Sequence, residues 1–356
     1  MLKELFEKRK LMPVWDDASK DWEKRRKEIV NLLQEEEYGF LPREHDRLTW
    51  TEEKANFTFC AGRVELKKVT LTAHFGEDKF SFPIYTSIPV GRKNLPFFVH
   101  INFRDNVPDR YMPVEEICDQ GYALISFCYN DVTPDKRDEE IEKDELVRIL
   151  YKNTEKKPNH AGKIRLWAWA ASRALDYALT LDCLDQSRAV VAGHSRLGKT
   201  ALVAGMLDER FSCAYSNDSG CSGAAITRAK QGETVERITA VFPYWFCENY
   251  KKYADNEYAM PFDQHFLLAA IAPRRVYVAS AENDLWADPE SEYLSCFSAS
   301  EVYEKMGMKG FVCEERFPKA YERFHEGDIG YHVRTGDHYM SREDWNSVID
   351  YLSKHK

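Results

Sequence analysis

The sequence predicts the α/β class: a mostly parallel central sheet flanked by helices, with an antiparallel N-terminal extension. From about residue 95 onward, short apolar runs of strand length alternate with longer segments of helical character, the texture of parallel strands covered by helices on both faces. Before that point, residues 49–88 alternate apolar and polar side chains around Gly76-Glu77-Asp78, which reads as an antiparallel hairpin. No internal repeat, low-complexity tract or Pro/Gly-rich linker interrupts the 356 residues. One domain over 1–356 is therefore expected, with 1–90 as the extension and 91–356 as the core.

Taken in order, residues 18–37 place Trp22, Ile29, Val30, Leu32 and Leu33 among charged side chains. They predict an amphipathic helix with Ser19 as its N-cap and an end near Gly39. Strands follow at Val64–Leu71 and Phe80–Tyr85, and the run Pro96–Ile101 begins the parallel core. The polar loop 102–108 is placed beside whatever site the sheet carries. A helix over 114–120 leads into a strand over 122–127, and the charged stretch 130–145 reads as a solvated loop that could cover the site. Residues 162–183 form an alanine-rich helix that delivers the chain to the apolar strand Ala189–Gly193 and a helix beginning near Thr200. Beyond it come a strand over 211–216, a helix opened by His265 and ending near Pro273, and a strand over 275–280. A last strand holds His332, and a terminal helix runs from Ser341 to Lys354.

Composition excludes several functions. With 44% hydrophobic and 31% charged residues, and no apolar run approaching the roughly 18 residues needed to cross a bilayer, membrane insertion is not expected. A net charge of −9 without a basic cluster argues against nucleic acid as partner. Nine scattered cysteines, never in a C-x-x-C pair, suit a reducing compartment and predict neither a zinc site nor a disulfide framework. The first ten residues lack the apolar core of a secretory signal, so a cytoplasmic protein is expected, or a secreted one whose signal lies outside this sequence.

Chemistry concentrates at Gly193-His194-Ser195-Arg196-Leu197-Gly198-Lys199. A serine at a sharp strand-to-helix turn has its hydroxyl lifted clear of the sheet and its neighbouring N–H groups aimed at a developing oxyanion, the nucleophile elbow of α/β-hydrolases. The generic pattern wants glycine two residues after the serine; here Leu197 stands there and Gly198 follows. In this fold the order is serine, acid, histidine, each on a loop at a strand's carboxyl end. His338, in the glycine-containing loop before the last helix, fits as base; His332 and His265 read as structural. Asp218, after the strand that follows the elbow, and Asp284, after the penultimate strand, compete as the acid. Asp288, just before Pro289, reads as a helix start.

The Gly-x-Ser-Arg-x-Gly-Lys segment closely resembles the signature of the glucuronoyl esterases, carbohydrate esterase family fifteen, whose pattern carries this glycine offset. Asn217–Gly220, Pro261–His265, Ile271–Arg274 and Leu285-Trp286 resemble further blocks of the bacterial members, over roughly residues 95–354. The resemblance implies a metal- and cofactor-free serine carboxylesterase that cleaves esters of 4-O-methyl-glucuronate. It implies Ser195 as nucleophile, His338 as base, Arg196 as oxyanion stabiliser, and Lys199, Trp286 and Glu233 as sugar contacts. The family's usual acid is a glutamate at position 218; the shorter aspartate there favours Asp284. The expected partner is a small-molecule or oligosaccharide glucuronate ester. Deacetylation of acetylated sugars on the same fold is the alternative chemistry, and a sugar-binding protein that has lost catalysis is the alternative class.

Overall fold

A computed structural model describes residues 1–15, 21–136 and 144–355. In chain order the elements are α1 (Leu2–Lys8), α2 (Trp22–Leu33), β1 (Arg47–Glu52), β2 (Val64–Phe75), β3 (Asp78–Pro89), β4 (Leu95–Asn102), α3 (Val114–Asp119), β5 (Ala123–Cys128), α4 (Glu145–Leu150) and α5 (Lys163–Ala178). There follow β6 (Leu184–His194), α6 (Arg196–Leu207), β7 (Cys213–Asn217), α7 (Val235–Val241), α8 (His265–Ala269), β8 (Arg275–Ala281), α9 (Pro289–Lys305), β9 (Arg323–Phe324), β10 (Ile329–Arg334) and α10 (Arg342–Lys354). The described residues form a ten-stranded sheet in the order β1-β2-β3-β5-β4-β6-β7-β8-β10-β9. Strands β5, β4, β6, β7, β8 and β10 run parallel. The β1–β3 meander joins β5 antiparallel, as the alternation over 49–88 predicts.

Both faces of the sheet are covered, and the central strands show it residue by residue. On β4, Phe97, Val99 and Ile101 belong to a core shared with α5, α6, α8 and α9, while Phe98 faces a second core built with α3 and α10. On β6, Val191 and Val190 divide the same way. This is the period-two signature of a strand buried on both sides. No helix among the described residues is long and apolar enough to cross a membrane.

Several boundaries differ from the sequence expectation. Ser19 lies outside the described residues; α2 is capped by Asp21, whose carboxylate accepts the Lys24 N–H at 3.2 Å. A π-turn over Gln34–Tyr38 then carries the chain to Gly39. Helix α5 stops at Ala178 rather than 183 because Thr180 Oγ1 caps the Tyr177 carbonyl at 2.7 Å and the chain turns, a local bond that competes with helix propagation. Helix α8 is a short five-residue segment. Most relevant to the site, α6 begins at Arg196, directly after the serine, and not at Thr200.

Candidate active site

Ser195 occupies a backbone conformation that L-residues rarely adopt, φ 58° and ψ −128°, between the end of β6 and the first residue of α6. Its N–H donates to the Asn217 carbonyl at 2.8 Å, and its own carbonyl accepts from Gly198 and Lys199. Strain of this kind persists only where surroundings over-determine it. The glycines explain how. A Cβ on Gly193 would lie 2.1 Å from the Leu197 carbonyl oxygen, and one on Gly198 would sit 3.0 Å from Ser216 Oγ and 3.1 Å from the Asn217 carbonyl. Leu197 is fully buried, so Gly198 is the residue that lets the helix start press against the end of β7. The displaced glycine of the motif thus eases a close approach that any Cβ would crowd by a few tenths of an ångström.

His338 and Asp284 meet across the carboxyl ends of β10 and β8: His338 Nδ1 lies 2.5 Å from Asp284 Oδ2. Asp284 is buried, and its other oxygen accepts the Ala287 N–H at 3.2 Å. Burial alone would raise its pKa; the hydrogen bond and charge of His338 outweigh burial and hold it below the usual value. The opposite imidazole edge is open, with 43% of the His338 side chain exposed. His194, the residue before the serine, packs its buried ring on that of His338 with centroids 4.5 Å apart. Burial, and then the His338 charge, push the His194 pKa down to about 3, so it packs on His338 as a neutral ring bonded to Asn217 Oδ1 at 2.6 Å. Ser195 Oγ makes no hydrogen bond to His338 among the described residues, and such bonds commonly tighten only with substrate in place.

Asp218 lies close by but faces other partners. Ligand-capable atoms of Asp218, Asp284 and His338 fall within 4.8 Å of one another. Yet Asp218 Oδ1 accepts the Ala281 N–H at 2.8 Å, and Oδ2 accepts from Arg334 Nη2 at 3.3 Å and the Tyr339 N–H at 3.4 Å. Burial, followed by Asp344 and Glu292, drives its pKa well above the normal carboxylate value despite Arg334. Of the two aspartates, Asp284 is the one bonded to the imidazole. The three side chains are also the only grouping among the described residues able to offer three donors to a metal ion.

Arg196 and Lys199 leave the first turn of α6 on different sides of the elbow. Arg196 Nη1 donates to Asp135 Oδ2, and its guanidinium lies 4.7 Å from the Trp245 ring centroid. Lys199 is buried; its Nζ donates to the Ser219 carbonyl and stands 3.9 Å from Glu233 Oε2. Burial lowers the Lys199 pKa, and Glu233 opposes the shift. Glu233 is tied to the loop after β8 through its N–H, which donates to the Trp286 carbonyl at 3.0 Å. Trp286 leaves its indole 53% exposed at the mouth of the site. Phe103, from the loop after β4, reaches both His194 and Arg196, so that loop does flank the site.

The remaining sequence candidates have structural posts. Asp288 is the N-cap of α9, with Pro289 at the first helical position. His265 Nε2 bonds the Met12 carbonyl at 2.8 Å, and His332 bridges Tyr277 and Asp344. Sequence reasoning missed Arg334, whose guanidinium binds Asp344, Asp218 and the carbonyls of Thr335, Asp337 and Tyr339. It thereby clamps the loop that carries His338. One signal was available: a lone charge in the buried strand Ile329–Arg334 must be paired. Asp135 and Asn217 were also missed.

Comparison with known proteins adds the following. The family model described as fungal glucuronyl esterase matches residues 71–307. The carbohydrate esterase MZ0003, from an unknown prokaryotic organism, is 32% identical over 95% of this chain and 86% of its own length. The 4-O-methyl-glucuronoyl methylesterase of Podospora anserina is 28% identical over 81% of this chain, which spans 57% of that longer protein. Among solved structures, a glucuronoyl esterase from Solibacter usitatus superposes with a TM-score of 0.86 at 34% identity, covering 96% of this chain and 94% of that one.

Proposed function

The chain belongs to the glucuronoyl esterase family, and from that premise we propose that Ser195, His338 and Asp284 hydrolyse glucuronate esters through an acyl-enzyme. The protein is a carboxylic ester hydrolase with the α/β-hydrolase fold. Ser195 Oγ attacks the ester carbonyl carbon while His338 Nε2 takes the hydroxyl proton. Asp284 holds Nδ1–H, fixing the tautomer that leaves Nε2 basic and stabilising the imidazolium that forms. The same proton then passes to the departing alcohol, and a water activated by His338 releases glucuronate. Arg196 and the N–H groups at the start of α6 stabilise the tetrahedral oxyanion. Lys199, Glu233 and Trp286 hold the sugar: a cation and a carboxylate suit hydroxyl groups, and an exposed indole suits a sugar face.

The observation that carries this reading is the short His338–Asp284 contact beside a strained serine flanked by Arg196 and Lys199. Methyl glucuronate assayed beside an acetylated xylo-oligosaccharide tests it. Turnover of the first is expected; turnover of the second alone would overturn the assignment of the sugar to the acid half of the ester.

A further inference from the structure

Arg196 is held on one side by a carboxylate that the reaction does not consume. Asp135 is 7% exposed and accepts hydrogen bonds from Arg196 Nη1, from Trp245 Nε1 at 2.7 Å and from Tyr129 Oη at 3.2 Å. Phe103, Phe242 and Trp245 surround the guanidinium, at 5.6, 5.5 and 4.7 Å from its carbon. Arg196 Nε is buried without a hydrogen-bond partner, and Nη2 has none among the described residues. The cation is therefore paired at Nη1 and keeps an unused N–H donor at Nη2, Nε being closed off from solvent.

Ester hydrolysis gives that arrangement a purpose. The substrate ester is neutral, the transition state carries an oxyanion at one defined oxygen, and the product glucuronate carries a full charge in the same place. A bare guanidinium would favour the transition state and the product alike, and a product held by net charge leaves slowly. Hydrogen bonds to the oxyanion are short-ranged and directional, whereas attraction of a carboxylate to net charge reaches further. A carboxylate fixed behind the arginine cancels the second while leaving the donors for the first. Lys199 repeats the pattern, with Glu233 opposite it at 3.9 Å.

We infer that Asp135 is a positioning residue that orients Arg196 toward the oxyanion and, by neutralising it, lets the anionic product depart. The inference rests on the ester reading given above. The test compares the inhibition constant of glucuronate with the KM of methyl glucuronate in wild type and three variants. Asp135→Asn is expected to lower the inhibition constant about tenfold, an effect that added salt erodes, while KM for the neutral ester moves less than threefold and kcat falls. Asp135→Glu, which restores the charge, and Trp245→Phe, which removes a hydrogen bond but no charge, are expected to keep the wild-type ratio. An unchanged or raised inhibition constant in Asp135→Asn would overturn the inference, as would an equal change of the ratio in Trp245→Phe. Should Asp135→Asn fail to fold, a Trp245→Phe or Asp135→Glu variant with the ratio of tightened product binding would overturn it as well. A wild type that does not turn over methyl glucuronate would refute the ester reading and this inference together.

Discussion

Replacing Asp284 by asparagine changes one charge and almost no volume, so the loss of activity measures what the carboxylate contributes. In the protein, Asp284 Oδ2 accepts from His338 Nδ1 at 2.5 Å and Oδ1 accepts from the Ala287 N–H. The second bond survives in asparagine; the first does not survive as a charged pair. With charge centres about 4 Å apart at an effective dielectric near 20, imidazolium and carboxylate attract by about 4 kcal/mol. At about 1.4 kcal/mol per tenfold, that is roughly a thousandfold in the step that creates the imidazolium. An amide that donates to Nδ1 also favours the tautomer with the proton on Nε2, where it cannot accept from Ser195, and this adds to the loss. Asp284→Asn should therefore lower kcat on methyl glucuronate about a thousandfold or more with little change in KM. Asp218→Asn should cost about tenfold, through loss of an acceptor for Arg334 and Tyr339 beside the base, and the double variant should sit near the Asp284 single variant. Steady-state rates on folded variants, checked by circular dichroism, decide it. More than a tenth of wild-type activity in Asp284→Asn, or a larger loss in Asp218→Asn, would refute the assignment.

Other expectations follow from the same geometry. Ser195→Ala should abolish turnover yet bind glucuronate with near wild-type affinity by calorimetry, because Lys199 and Trp286 do not depend on the hydroxyl. Gly232→Ala should destabilise the fold and raise KM: its φ is 74°, and a Cβ there would lie 2.4 and 2.5 Å from the Leu285 and Trp286 carbonyl oxygens, displacing the indole loop. Buried histidines make the fold acid-sensitive. Burial holds His265 and His100 neutral, with pKa values lowered to about 4; each contributes stability that is present above about pH 6.5 and is lost as pH falls toward 4. Each steepens the decline by up to about 1.4 kcal/mol per pH unit. Urea unfolding of His265→Gln between pH 6.5 and 4.5 should show a slope shallower by about one proton, and an unchanged slope would refute the role of His265.

Much of the site was legible because a chain that alternates strand and helix brings loops at the carboxyl ends of parallel strands together whatever their separation in sequence. Ser195, His338 and both candidate acids, Asp218 and Asp284, follow strands that apolar runs reveal, so their order suggested a triad without choosing its acid. Side chains that hold those residues were less legible. Asp135 sits 61 residues before Arg196 in a loop that reads as solvated, and nothing in its neighbourhood distinguishes it from other loop aspartates until Trp245 and Tyr129 are seen around it. Leu179 and Leu181 continue the apolar pattern of α5 although the backbone has already turned, since burial in a turn and burial on a helix face look alike in sequence.

The contrast between Asp218 and Asp284 shows why position along the sheet does not decide the acid. Both leave neighbouring strands at their carboxyl ends, and both are buried. The difference lies in what each faces. Arg334 stands between Asp218 and Asp344, binding both; burial first, then the Asp344 and Glu292 charges, raise the Asp218 pKa although Arg334 opposes them. Its oxygens are already engaged by the Ala281 and Tyr339 N–H groups and by Arg334. Asp284 has the reverse setting: its principal partner is the imidazole itself, its pKa is depressed by that partner, and in the proposed reaction the cation formed as Ser195 attacks would strengthen the pair. In the proposed reaction Asp218 then has an indirect part. With Arg334 it fixes the backbone at Tyr339, one residue from His338, so an aspartate bonded elsewhere still holds the loop that carries the imidazole.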